Sequence, residues 1–167
     1  MDFMTEAPKI VVRPEIPYVA ITAEVTMDDI GAVVPPLTSE VFDWLAAKGI
    51  APAGAAFWKY DVIDMERRLV IETGVPVAEQ VEGDSRVRRG LLPAGRYATV
   101  IHVGHPQTLM SATARLLEWG REQGLTWDVA PTPNGDRWGC RLETYLDEPG
   151  QDMNEWATEL AFKLADD

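Results

Sequence analysis

The alternation of apolar and polar positions is sharpest between Arg137 and Asp147. A period of two marks a half-buried β-strand, and residues i and i+2 of a strand share a face. Trp138, Cys140, Leu142, Thr144 and Leu146 therefore form an apolar side, and Gly139, Arg141, Glu143 and Tyr145 a polar one. Strands are also predicted from Pro17 to Thr26, Ala55 to Val62, Leu69 to Val77 and Leu91 to Val103, with a short one around Thr126 to Val129. Within them Val19, Ile21, Ala23 and Val25 oppose Tyr18, Ala20, Thr22 and Glu24. Trp58 shares a face with Tyr60. Arg96, Ala98, Val100 and His102 oppose Tyr97, Thr99, Ile101 and Val103. The turn-prone stretch 64–68 precedes the third strand, and Pro76 ends that strand or places it at an edge.

Helical spacing of Leu37, Val41, Trp44, Leu45 and Lys48 predicts a helix opened by Pro35-Pro36 and closed by Gly49. A second helix runs from Pro106 to about Gln123, with Gly124 as its stop. Residues 79–90 are polar and form the one candidate linker, and 131–136 form a loop or turn. From Asn154 to Leu164 the composition favours helix. Yet Trp156, Thr158, Leu160, Phe162 and Leu164 alternate, and a helix would scatter them around its circumference, so a strand is predicted.

The halves resemble each other. Phe42-Asp43-Trp44 through Lys48-Gly49-Ile50 aligns with Leu117-Glu118-Trp119 through Gln123-Gly124-Leu125, and Val70-Ile71-Glu72-Thr73 with Arg141-Leu142-Glu143-Thr144. The expectation is one α+β domain over 1–167. It is built of duplicated β-α-β-β units (15–78 and 91–165) in a largely antiparallel sheet with two helices. The halves would be related by a pseudo-twofold axis, which would make Glu72 and Glu143 symmetry mates.

Charge and chemistry narrow the function. A formal net charge of −12 argues against nucleic acid and anionic membranes. It suits cationic ligands, although solubility alone explains it equally well. Cys140 is the lone cysteine, read as a small buried hydrophobe, so a disulfide framework is excluded. With no apolar run long enough for a signal peptide or a membrane span, a cytoplasmic location is expected. His102 and His105 are too few for a metal centre, and no phosphate loop, nucleophile elbow or dinucleotide fingerprint occurs, so no metal and no cofactor are expected. Trp44 and Trp119, at repeat-related helical positions, are assigned to packing.

Several motifs follow one another in order: Glu72-Thr73-Gly74-Val75-Pro76-Val77, Leu92 through Ala98, Ile101-His102-Val103-Gly104, Leu116 through Trp119, and Glu143 through Pro149. Together they resemble the GyrI-like small-molecule-binding domain, also seen as the effector-binding domain of multidrug-responsive bacterial transcription activators. The likeness spans about 15–165. It implies an aromatic-lined cleft between the halves and a buried acid that meets cationic, lipophilic, planar ligands. Glu143, in its Glu-x-Tyr pattern, sits at the position of that acid. Where the family often carries an aromatic residue after the His-x-Gly segment, this chain has His105-Pro106.

Candidate ligand-binding residues are Glu143, Tyr145, Trp58, Tyr60, Tyr97, Trp138, Glu72 and His102. A polar strand face is ordinarily solvated, and packing is the ordinary role of any one ring. The resemblance also implies two alternatives. Some members are hydrolases that open cyclopropane rings of DNA-alkylating natural products, which would make Glu143 a general base. Others resemble inhibitors of DNA gyrase, a protein–protein role for which no residue here speaks.

Overall fold

The computed structural model describes residues 7–146 and 156–165. The Asp147-Glu148-Pro149 end of the last motif, and the strand start expected at Asn154, lie outside them. The described elements are strands β1 (Lys9–Arg13) and β2 (Ile16–Val25), helix α1 (Ile30–Lys48), strands β3 (Phe57–Asp64), β4 (Arg68–Pro76), β5 (Arg88–Leu92) and β6 (Gly95–Val103), a 3-10 turn (Pro106–Thr108), helix α2 (Leu109–Glu122), and strands β7 (Val129–Thr132), β8 (Gly135–Trp138), β9 (Arg141–Tyr145) and β10 (Ala157–Lys163). No described helix is long and apolar enough to cross a membrane.

All ten strands join one antiparallel sheet. Its main path is β1-β6-β10-β9-β3-β4-β2-β5, with the β7–β8 hairpin attached to β3. The path has matching halves. Outward from its centre run β3, β4 and β2 on one side and β9, β10 and β6 on the other, and each half carries one helix. The outermost strands are exchanged. β1 precedes β2 in the chain but pairs with β6, while β5 precedes β6 but pairs with β2.

Only Pro14 and Glu15 link β1 to β2, and only Pro93 and Ala94 link β5 to β6. So short a link spans roughly 10 Å at most. The two ends of the sheet must therefore approach each other, and the sheet curls around an interior. Tyr18, Phe57, Leu92, Tyr97, Cys140, Leu142 and Ala161 fill it. Both helices lie outside, α1 on β2 and β4, α2 on β6. Val19, Ile21, Val41, Leu45 and Val75 pack under α1. Ala98, Val100, Ala112, Leu116 and Leu160 pack under α2.

Sequence and structure differ at several places, the unexpected β1 and the strand residues 88–90 at the end of the expected linker among them. Helix α1 starts before its prolines because Thr26 and Asp29 cap each other. Thr26 N–H donates to Asp29 Oδ1 (2.6 Å), Asp29 N–H donates to Thr26 Oγ1 (3.2 Å), and Ile30 N–H already bonds Thr26 O (3.0 Å). Pro35 and Pro36 fall inside the helix; the carbonyls they leave unbonded belong to Gly31 and Ala32, both solvent-exposed residues. The strand expected from Leu91 to Val103 is two strands broken at Pro93, which has no N–H for a ladder. Residues 131–136 are mostly strand, Pro133-Asn134 turning the β7–β8 hairpin between paired Thr132 and Gly135. The strand expected from Arg137 to Asp147 is interrupted between Trp138 and Arg141. Asp128 crosses there so closely that a Cβ on Gly139 would lie 2.0 Å from its Oδ2.

The expected helix ends and the C-terminal strand do form. Gly49 and Gly124 both take φ = 72°, and Ile50 N–H and Leu125 N–H close matching bonds to Leu45 O and Gly120 O, each 2.9 Å. Along β10, alternation prevails over helix propensity because β6 and β9 flank it on both sides.

Candidate functional site

Strand register decides which side chains meet. One row across the sheet, on its outer face, reads Val100, Leu160, Glu143, Trp58, Thr73, Ile21. The adjacent row, on the inner face, reads Thr99, Ala161, Leu142, Lys59, Glu72, Thr22. Glu143 and Trp58 are thus direct cross-strand neighbours at the centre of the sheet. The central pair β3–β9 lies between the parts covered by α1 and by α2. Trp58, Tyr60, Arg141, Glu143 and Tyr145 all keep partial exposure.

Four of the expected residues converge. Glu143 Oε1 accepts the Tyr145 hydroxyl at 2.8 Å and the Tyr60 hydroxyl at 3.0 Å. The Trp58 and Tyr145 rings meet edge to face, centroids 5.4 Å apart, and the Trp58 indole N–H donates to Thr38 Oγ1 of α1 at 3.3 Å. No cation lies within 4 Å of Glu143 among the described residues. Burial pushes its carboxyl above the usual carboxylate range, opposed by the Tyr145 and Tyr60 hydroxyls and by Arg141. Burial and the Glu143 charge raise both tyrosines in turn, so they remain donors.

Arg141, two residues along the same face, is the feature that the candidate residues omit. Its guanidinium stands 4.6 Å from the Phe162 ring centroid, 4.9 Å from Trp138 and 5.9 Å from Tyr60. The i, i+2 spacing from Glu143 was the available signal. Trp138 is present in this corner, but as a buried ring beneath Arg141 rather than on the Cys140 side, because of the strand break at Gly139.

The other expected residues lie elsewhere. Tyr97 is buried inside the curled sheet, donating to Pro93 O at 2.6 Å. His102 is buried and meets Thr108 Oγ1 at 2.6 Å. Glu72 is on the inner face, where it accepts the Tyr18 hydroxyl (2.7 Å) and Lys59 Nζ (3.1 Å). It is also no mate of Glu143. In the matched halves β9 corresponds to β3, and the strand of Glu72, β4, corresponds to β10. The short alignment of 70–73 with 141–144 skipped one strand.

The inner cluster makes a prediction of its own. Lys59 also bonds Asp61, and burial beside Glu72 pushes the Asp61 carboxyl up to about 7, while Glu72, with protonated Asp61, Lys59 and Tyr18 as donors that outweigh its own burial, is lowered and stays charged. Folded Asp61 therefore holds its proton to higher pH than the unfolded chain does. Its contribution favours folding in acid and is lost as pH rises toward about 7. Asp61→Asn should raise the melting temperature at about pH 8, by roughly 2–4 °C for each kcal/mol recovered, and change it little at about pH 3.5, where folded and unfolded chains both hold the proton. Circular-dichroism melts at both pH values check this; equal shifts, or a fall at the higher pH, would contradict it.

The C-terminal domain of EcmrR shares the fold with a TM-score of 0.71 at 22% identity, covering 99% of each chain. The EcmrR chain of the EcmrR–DNA complex in EcmrR-RPo gives 0.73 at 21% identity, covering 96% of this chain and 57% of that one. The present chain therefore spans little more than half the length of that relative. SAV2435 bound to tetraphenylphosphonium gives 0.62 at 8% identity, covering 99% of this chain and 94% of that one. At such identities the likeness is one of fold. No curated protein matches the sequence. The GyrI-like small molecule binding domain matches residues 6–165, nearly the whole chain, and the protein belongs to that family.

Proposed function

We propose that the cleft binds lipophilic organic cations with flat aromatic groups, seated on Glu143 between Trp58, Tyr60 and Tyr145. The observation that carries this reading is a desolvated carboxylate held by two tyrosine hydroxyls with no cation at ion-pair distance among the described residues. A unit charge about 5 Å from it gains roughly 3 kcal/mol at an effective dielectric of about 20. Each facing ring adds about 0.5–2 kcal/mol of cation–π attraction. Stacking and one point charge discriminate poorly among flat cations, which suits a broad range of ligands. The tetraphenylphosphonium held by SAV2435, a protein of the same fold, is a cation of this kind.

A second reading, hydrolysis of cyclopropane-bearing alkylators, draws on the raised Glu143 carboxyl. Glu143 would take a proton from water as the oxygen attacks a ring carbon; the broken C–C bond's electron pair would then be protonated. One experiment separates the two. The protein is titrated with tetraphenylphosphonium and with a rhodamine ester, then incubated with a cyclopropane alkylator while products are followed by mass spectrometry. Saturable cation binding without ring-opened product is expected. Turnover lost in Glu143→Gln would favour the hydrolase, and no saturable binding would overturn the capture reading.

A further inference from the structure

Arg141 has no acceptor. Its guanidinium makes no hydrogen bond or ion pair with any described residue, although it is held among the rings of Phe162, Trp138 and Tyr60. The other described arginines without an acceptor, Arg88, Arg89, Arg115 and Arg137, are all solvent-exposed; Arg141 is only partly so. Every buried side-chain nitrogen or oxygen in the described structure has a partner. The Arg141 nitrogens, which have none, therefore keep contact with solvent rather than lying in the packed core.

A guanidinium offers five N–H donors in a planar fork that fits a carboxylate. Strand rise places Arg141 and Glu143 about 7 Å apart along the same face of β9, and no ion pair joins them. The cleft floor therefore carries one positive and one negative pole, both short of partners. A simple monocation would gain from Glu143 and lose part of that gain to Arg141. A ligand with an anionic arm on the Arg141 side gains at both.

Resting on the cation-binding reading above, we infer that the preferred ligand is an aromatic zwitterion, its cationic centre on Glu143 and a carboxylate or similar acceptor on Arg141, which makes Arg141 the specificity-determining residue of the cleft. The neighbouring Phe162 and Trp138 rings hold the guanidinium by cation–π contact.

The test uses two dyes with one chromophore: a rhodamine bearing a free carboxylate, hence zwitterionic, and its methyl ester, a monocation. Fluorescence anisotropy with the full chain is expected to show the acid bound at least tenfold more tightly than the ester. In Arg141→Gln that preference should vanish, with the ester bound more tightly than by the wild type. Equal binding of both dyes by the wild type, or a preference that survives in Arg141→Gln, would overturn the inference while leaving cation binding intact. Binding of neither dye would overturn the cation-binding reading and this inference with it. Should Arg141→Gln unfold, Arg141→Lys, which keeps the charge but not the fork, is expected to retain only part of the preference; a full preference there would count against the guanidinium.

Discussion

Glu143→Gln is expected to weaken binding of a lipophilic monocation by one to two orders of magnitude while leaving the melting temperature unchanged or raised. The two effects have one cause. Loss of a charge about 5 Å from the ligand removes roughly 3 kcal/mol at an effective dielectric of about 20, and each 1.4 kcal/mol is a factor of ten. Glutamine keeps an oxygen that can accept the Tyr60 and Tyr145 hydroxyls, so the polar contacts of the empty site survive. What disappears is the cost of holding a carboxylate out of water without a close cation. The pH dependence follows from the same carboxyl, raised by burial. Cation affinity, present where Glu143 is ionised, should fall on acidification, and the fall should begin above the usual glutamate range. Titration calorimetry across pH, with thermal melts of both proteins, checks all of this. A variant that melts at lower temperature would show Glu143 to be a structural partner instead.

Phe57→Ala should cost about 3–5 kcal/mol of stability with little change in cation binding. Phe57 is fully buried inside the curled sheet and meets Tyr18 edge to face, centroids 5.3 Å apart. Its ring occupies the space above Gly74, where an added Cβ would lie 2.8 Å from Phe57 Cζ. Truncation therefore leaves a cavity that the backbone cannot close from either side. Its sequence neighbour Trp58 points to the other face, toward Tyr145 and Glu143, so Trp58→Ala should do the reverse: weaken binding more than folding. Urea denaturation with an unchanged m-value, alongside dye binding, checks the pair. A loss below about 1 kcal/mol for Phe57→Ala would mean that the interior is not packed as described.

Much of this was legible in the sequence, and the boundary is physical. Alternation states which residues of one strand share a face. It grouped Glu143 with Tyr145 and Arg141, Trp58 with Tyr60, and Val19 with Ile21 correctly. Alternation does not state which faces of different strands coincide, because that depends on register between segments far apart in the chain. Tyr97 and Glu72 were grouped with the cleft for want of that register, and both belong to the interior. The curl of the sheet rests on the brief links at Pro14 and Pro93 and on the exchange of β1 and β5, none of which leaves a periodic trace. Trp138 was misplaced for a different reason: a distant residue, Asp128, crosses at Gly139 and resets the alternation. The reciprocal Thr26–Asp29 cap was present in the sequence and outweighs Pro35-Pro36 as a helix start.

The most direct test of the central claim is a crystal structure of the protein grown with tetraphenylphosphonium. The cation is expected over β3 and β9, with phenyl rings against Trp58 and Tyr145 and its charge beside Glu143. A cation bound elsewhere, or a Glu143 side chain that has closed onto Arg141 and left the ligand outside, would contradict it.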